Sequence, residues 1–177
     1  MELMGNKIIR GKLSDIELAY IAGIIDGEGC VGIHKCPDKR GYSRLHYLYL
    51  CISNNNPIVI DYFQSKLGGN ITKRKSHPEW NPNYKWFIRS GKAEEVLSIV
   101  LPFLLIKKEQ AKVGIEFSKI KSSTQGKRLS VEEWNLREEY YLKIKELNNL
   151  YTKPKPHHQK LQPQRLSEGT IATRLKR

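Results

Sequence analysis

Acidic residues are scarce in this chain and cysteines scarcer. Its 177 residues hold 18 Asp and Glu against 31 Lys and Arg, a formal charge of +13. The three cysteines, Cys30, Cys36 and Cys51, make no CxxC and have no His partner at zinc spacing. That excludes a structural zinc knot, and an odd count argues against a disulfide framework. Their ordinary setting is a half-buried strand position in a reducing compartment. Long apolar runs are also missing. The longest, Val96 to Ile106, is interrupted by Ser98 and Pro102 and closed by Lys107 and Lys108, too short to span a bilayer. The opening MELMGNKIIRG lacks the apolar stretch of a signal peptide, so neither a membrane protein nor a secreted precursor is expected.

What is present is a hydrophobic fraction of 39%, sufficient for a core, and a cationic excess that points to a polyanion partner, most often nucleic acid. Seven of the Lys and Arg fall in residues 151–177 with one acid, in a stretch rich in proline and glutamine that reads as a flexible basic arm. The body keeps a net positive charge without it. Three regions are expected: an N-terminal arm over 1–13, a domain over 14–150, and the 151–177 tail.

Ser14-Asp15-Ile16-Glu17 is a capping box. Leu18, Ile21, Ala22 and Ile25 then share one helical face, and the helix is expected to end near Asp26 or Gly27. Ala19, Gly23 and Gly27 form a second line of small residues, a spacing that lets another helix approach closely. Cys30 to Cys36 and Arg44 to Ser53 alternate as strands around the turn Pro37-Asp38-Lys39-Arg40-Gly41. Pro57 opens a helix that Gly68-Gly69 stops. Asn70–Ser76 and Lys85–Arg89 form a second strand pair across the loop HPEWNPNY. Helices follow over Lys92–Val100 and Lys108–Lys119, and a second capping box at Ser130 and Glu133 starts a long helix to about Leu150. The class is α+β, with helices backing one face of an antiparallel sheet.

The other face is then free for a ligand. His34, Tyr47, Tyr49, Thr72, Arg74, Lys85 and Arg89 can point from it, with Lys39 and Arg40 in the turn and Arg44 just beyond. A curved ribbon bearing such groups can enter a DNA major groove, reading base edges while Lys and Arg hold phosphates. Which alternate positions face outward in the fourth strand stays open, since both series contain apolar residues. So does the bland reading of an ordinary solvated face.

Asp26 and Glu28 place two carboxylates at a helix C-terminus, where backbone carbonyls already carry partial negative charge. A divalent cation held by Glu28 and the Gly27 carbonyl would relieve that crowding, and oxygen donors suit Mg²⁺. A plain Asp-Gly-Glu-Gly turn is the alternative.

Ile21 to Gly29, IAGIIDGEG, resembles the motif of the LAGLIDADG homing endonuclease family. The α-β-β-α-β-β-α order, Leu67-Gly68-Gly69 and the stretch LPFLLIKK from Leu101 to Lys108 extend the resemblance over about 14–150. It implies a saddle-shaped antiparallel sheet backed by helices, and a site-specific DNA endonuclease that makes metal-dependent double-strand breaks at a long, partly palindromic target. It implies Glu28 as the metal-binding acid, with Mg²⁺, or Mn²⁺ or Ca²⁺ in the same sites. It further implies a polar residue just past the second strand that orders water, here Asn54, with Asn55 or Asn56 as alternatives, and a lysine near the attacked phosphate, Lys107 or its neighbour Lys108. One motif in one chain implies a homodimer joined through Ala19, Ala22, Gly23, Asp26 and Gly27. Many members have Asp where this chain has Glu28, and Gly32, Cys36 and Cys51 are thin for base reading. Maturases resemble these proteins in fold, so an intron RNA-binding splicing cofactor is a second reading and a non-cleaving DNA-binding regulator a third. An intracellular site, in an organelle or a microbial cytoplasm where the target DNA lies, is expected.

Overall fold

The computed structural model describes residues 13–37, 44–74, 81–120 and 129–150. Residues 1–12 of the expected N-terminal arm, the 151–177 tail and the Lys39-Arg40 turn lie outside them. Helix α1 (Asp15–Glu28) leads into strands β1 (Gly29–Pro37) and β2 (Arg44–Asn54), then helix α2 (Pro57–Leu67). Strands β3 (Asn70–Arg74) and β4 (Asn83–Arg89) follow, then α3 (Ser90–Val100), a 3-10 turn at Leu101–Phe103, α4 (Lys108–Ser118) and α5 (Val131–Asn149). The strands make one antiparallel sheet in the order β1-β2-β4-β3.

Local chemistry accounts for the boundaries. At α1 the Ser14 hydroxyl accepts from the Glu17 amide at 3.3 Å, and the Glu17 carboxylate accepts from the Ser14 amide at 2.9 Å, the reciprocal pair that satisfies two helix-end donors. Asn56 caps α2 by accepting from the Ile58 amide, with Pro57 at the first helical position, where a missing N–H costs nothing. Ser130 caps α5 through the Glu133 amide. Three expected limits move. Helix α1 runs on to Glu28, β4 begins at Asn83 inside the expected loop, and α3 begins at Ser90, which takes φ 50° to turn the chain off the sheet.

The helices bury one face of the sheet. Leu18, Ile21, Ala22 and Ile25 of α1 meet Val31, Ile33, Leu48, Leu50 and Ile52, and Trp86 and Ile88 complete the layer from β4. Burial of such side chains contributes about 1.5–3 kcal/mol each. Trp86 is fully enclosed, its indole N–H donating to the Gly68 carbonyl at 2.6 Å and its ring 5.1 Å from that of Phe63. With Trp86 and Ile88 inward, Lys85, Phe87 and Arg89 must face outward.

Candidate functional site

Two features meet at the start of β1: the outward face of the sheet and the C-terminal end of α1. Strand register arranges the outward side chains in rows. Tyr47 lies opposite His34; Tyr49 lies between Gly32 and Arg89; Cys51 lies between Cys30 and Phe87; Lys85 lies between Ser53 and Thr72; Asn83 lies opposite Arg74. Cations and rings interleave across these rows. Lys85 Nζ sits 5.2 Å from the Tyr49 centroid, and the Arg89 guanidinium is 5.4 Å from Tyr47 and 4.9 Å from Phe87.

His34 stacks on Tyr49 with centroids 4.2 Å apart. Its burial, together with the nearby charges of Lys85 and Arg89, holds its pKa below the ordinary imidazole value. Burial also works to lower Lys85, but the bond to Tyr49 and the charge of Cys51 outweigh it, and its pKa stands above the usual lysine range. The Cys30 thiol donates toward Cys51, which holds Cys51 below the usual thiol range and pushes Cys30 above it.

These placements refine the expected contact set. His34, Tyr47, Thr72, Arg74, Lys85 and Arg89 stand on the outward face. Tyr49 does too, but at 6% exposure it is the floor under His34 and Lys85 rather than a free contact. Arg44 begins β2, with its side chain outside the described residues. Ser53, Asn70, Asn83 and Phe87 join the face. Their signal was the alternation of β4, readable only once Trp86 and Ile88 are known to be inside.

Asn54 is not among them. It continues the helix-facing series of β2, and its side-chain oxygen accepts from the Asn56 amide at 2.8 Å, a turn that ends the strand. Asn56 is the α2 cap, and Asn55 accepts from the Asn83 side chain at 3.1 Å. Ser53 is the outward polar residue at this end of β2.

The two motif acids part company. The Asp26 carboxylate accepts from three amides: Leu105 at 2.8 Å, Ile106 at 3.2 Å and Lys107 at 2.8 Å. It thereby ties the 105–107 bend to α1 just before α4 begins, and negative charge is favoured at a helix N-terminus. Lys107 completes the tie, its ammonium donating to the Asp26 carbonyl. Lys107 and Lys85 both act electrostatically on Cys30 at the beginning of β1. Glu28 is exposed, one residue before the strand, with no hydrogen bond or ion pair among the described residues. The turn that presents it is tight: a Cβ on Gly29 would fall 2.5 Å from the Ile25 carbonyl oxygen.

No group of three or more His, Cys, Asp or Glu able to hold a metal occurs among the described residues. The donors that fit a hard divalent ion are the Glu28 carboxylate and the Gly27 carbonyl at the end of a helix whose last turn carries no basic residue. One chain supplies too few ligands for a closed site.

Of the residues expected to join two copies, Ala22 is fully buried in the core and Asp26 is engaged by the 105–107 amides; neither is available. Ala19, Gly23 and Gly27 are exposed, and a Cβ at Gly23 or Gly27 would meet nothing within 4 Å. Apolar side chains lie exposed around this open line: Ile16 at 83%, Tyr20 at 54%, Leu105 at 87% and Ile106 at 62%.

An open four-stranded antiparallel sheet, helices on one face and a motif helix entering the first strand define the LAGLIDADG homing endonuclease fold. Solved structures of that class superpose on this chain. I-CvuI, bound to the I-CreI target with magnesium and the DNA not cleaved, matches with a TM-score of 0.65 and 19% identity over 80% of this chain and 85% of its own. The archaeal intron-encoded I-Vdi141I, complexed with DNA, matches with a TM-score of 0.63 and 16% identity over 75% of this chain and 84% of that one. I-TnaI matches with a TM-score of 0.54 and 18% identity over 77% of this chain and 96% of its own. At these identities the shared property is the fold. No family model matches the sequence, and no curated protein matches it at a significant level.

Proposed function

We propose that the chain is a homodimeric, site-specific DNA endonuclease that hydrolyses phosphodiester bonds with a divalent metal, Mg²⁺ by preference. The observation that carries this reading is the division of labour between the motif acids. Asp26 is consumed in bracing the 105–107 bend, while Glu28 is left exposed beside a cationic, aromatic sheet face. An unpaired carboxylate on a basic surface has no structural task, and it suits a metal ligand. Both I-CvuI and I-Vdi141I are described in complex with DNA, which agrees with the outward face as the surface that holds the duplex.

Glu28 and the Gly27 carbonyl would hold the ion, which when bound would polarise the phosphodiester and lower the pKa of water. Lys107, braced by Asp26, sets a fixed positive charge near the end of α1 where phosphate charge develops. Lys85, Arg89 and Arg74 hold backbone phosphates, and His34 and Tyr47 present polar edges to bases. A duplex offers two scissile phosphates and one chain offers one Glu28. A two-fold dimer through Ala19, Gly23 and Gly27 brings the second acid to the axis and favours a partly palindromic target.

The test is cleavage of a DNA library containing the sequence that flanks the gene's insertion site, in Mg²⁺ and in EDTA, by wild type and Glu28→Gln. Discrete double-strand cuts that need metal and vanish in the variant, with DNA binding retained, are expected. Tight binding without cuts in wild type would overturn the nuclease reading, and intron RNA is then the ligand to try.

A further inference from the structure

Cys30 and Cys51 are direct partners across the β1–β2 ladder, and both belong to the outward face. Opposed residues in an antiparallel pair stand about 4.5–5.5 Å apart at Cα, inside the ~4.4–6.8 Å span that disulfides bridge. Neither thiol is in a disulfide, and the two are near enough to shift each other's hold on a proton. Cys30 is open to solvent, whereas Cys51 is buried beneath its neighbours, Tyr49 and Lys85 among them.

We propose that Cys30 and Cys51 are a thiol-exchange site that takes a low-molecular-weight disulfide, of the oxidised-glutathione class, and closes into an intrachain disulfide on the DNA-facing sheet. Exposure sets the order of events. The Cys30 sulfur is the one a small disulfide can reach; it gives its proton to the Cys51 sulfur opposite it as it attacks, forming a mixed disulfide and releasing one small thiolate that takes up a proton. Cys51, already within reach, gives up its proton and attacks the Cys30 sulfur, releasing the second. Two protein thiols are oxidised and one small disulfide is reduced to two thiols. The product is open to a reducing thiol at the Cys30 side, so it is reversible.

Closure acts at a sensitive point. Opposed Cβ atoms lie about 4.5–5.5 Å apart against about 3.8 Å in a disulfide, so the bond draws β1 toward β2 two residues from Glu28. Lys85 also loses the Cys51 charge that helps to raise its pKa. Closure therefore slows cleavage. This last step rests on the nuclease reading; the thiol chemistry does not.

The experiment uses the full chain carrying Cys36→Ser, equilibrated with oxidised glutathione and followed by intact mass and non-reduced peptide mapping. The expected product has lost two hydrogens, contains a Cys30–Cys51 linked peptide and returns to the starting mass with dithiothreitol. Adding Cys51→Ser should instead trap glutathione on Cys30. A persistent glutathione adduct while Cys51 is present, covalent dimers, or no reaction would each overturn the site. Cleavage is then measured on the same samples. The closed form should cut about tenfold more slowly or worse, because displacement at a reacting centre is costly, and should recover on reduction. An unchanged rate overturns the coupling. A reduced protein that never cuts refutes the nuclease reading and leaves the mass result to decide the thiol site.

Discussion

Replacing Asp26 with alanine separates two roles that look alike in sequence. Its carboxylate accepts three amide hydrogen bonds from the 105–107 bend. Two of those amides, at Leu105 and Ile106, are on exposed residues that water can re-solvate, so each contributes about 0.5–1 kcal/mol, and the half-buried Lys107 amide about 1.5 kcal/mol. The sum is about 2.5–3.5 kcal/mol, and at about 2–4 °C per kcal/mol for a domain of this size the melting temperature should fall by about 5–14 °C. Asp26→Asn keeps an acceptor without the charge and should lose about half as much. The assay is thermal unfolding by circular dichroism, paired with cleavage across a Mg²⁺ titration. The melting temperature should drop and cleavage should weaken, because Lys107 loses its brace, yet the Mg²⁺ midpoint should not move. An unchanged melting temperature with a raised Mg²⁺ requirement would refute the reasoning and make Asp26 a metal ligand.

Gly29→Ala should lower the urea midpoint by about 1–3 kcal/mol of stability, because the added Cβ meets the Ile25 carbonyl and Cα, which are backbone and cannot yield; an unshifted midpoint would mean that the turn is looser than described. A Cβ at Gly23 meets nothing within 4 Å among the described residues, so Gly23→Leu should leave the fold intact while sedimentation shows a monomer and cleavage is lost; a persistent dimer would move the seam off α1. His46 is buried, which lowers its pKa against the opposing pull of Glu138. A folded pKa below the unfolded one means stability is fully present above pH ~6.5 and is lost as pH falls through the folded value. Urea midpoints between pH 8 and 5 should show this slope, and His46→Gln should flatten it; an equal slope in the variant would assign the dependence to other groups.

Much of the fold was legible because its signals are local. Ser14 with Glu17, Asn56 before Pro57, and Ser130 with Glu133 each close a helix end within four residues, and the alternation through Leu48, Leu50 and Ile52 marks the inward face without outside help. What was hidden depends on partners far along the chain. Asp26 finds its amides at Leu105 to Lys107, so the motif alone could not tell a brace from a ligand. Asn54 stands on the helix-facing parity of β2, which its place at the strand's end did not reveal, because a one-residue shift in a strand exchanges faces. Ala22 was expected both on the core face of α1 and at the seam between two copies, and only packing assigns it to the core. Lys35 and His46 occupy helix-facing positions that should be apolar. They are tolerated because Glu138 of α5 pairs with both, at 3.1 Å to His46, and Tyr141 lies 4.0 Å beneath the Lys35 ammonium.

Every open sheet has two borders where backbone groups are free to recruit another strand. Here they are guarded differently. β3 is only five residues long and ends in Thr72, Lys73 and Arg74, too short and too charged to template an addition. β1 is long, but Asn148 of α5 reaches across and donates to the Val31 carbonyl at 3.0 Å, occupying a main-chain acceptor that a new strand would need. Both borders are thus made poorer templates for ladder extension, which favours a sheet that keeps its broad outward face uncovered. Among the described residues, helix α1 opens Ala19, Gly23 and Gly27 to a neighbour, so close approach of another chain is easier at that helix than along either border of the sheet.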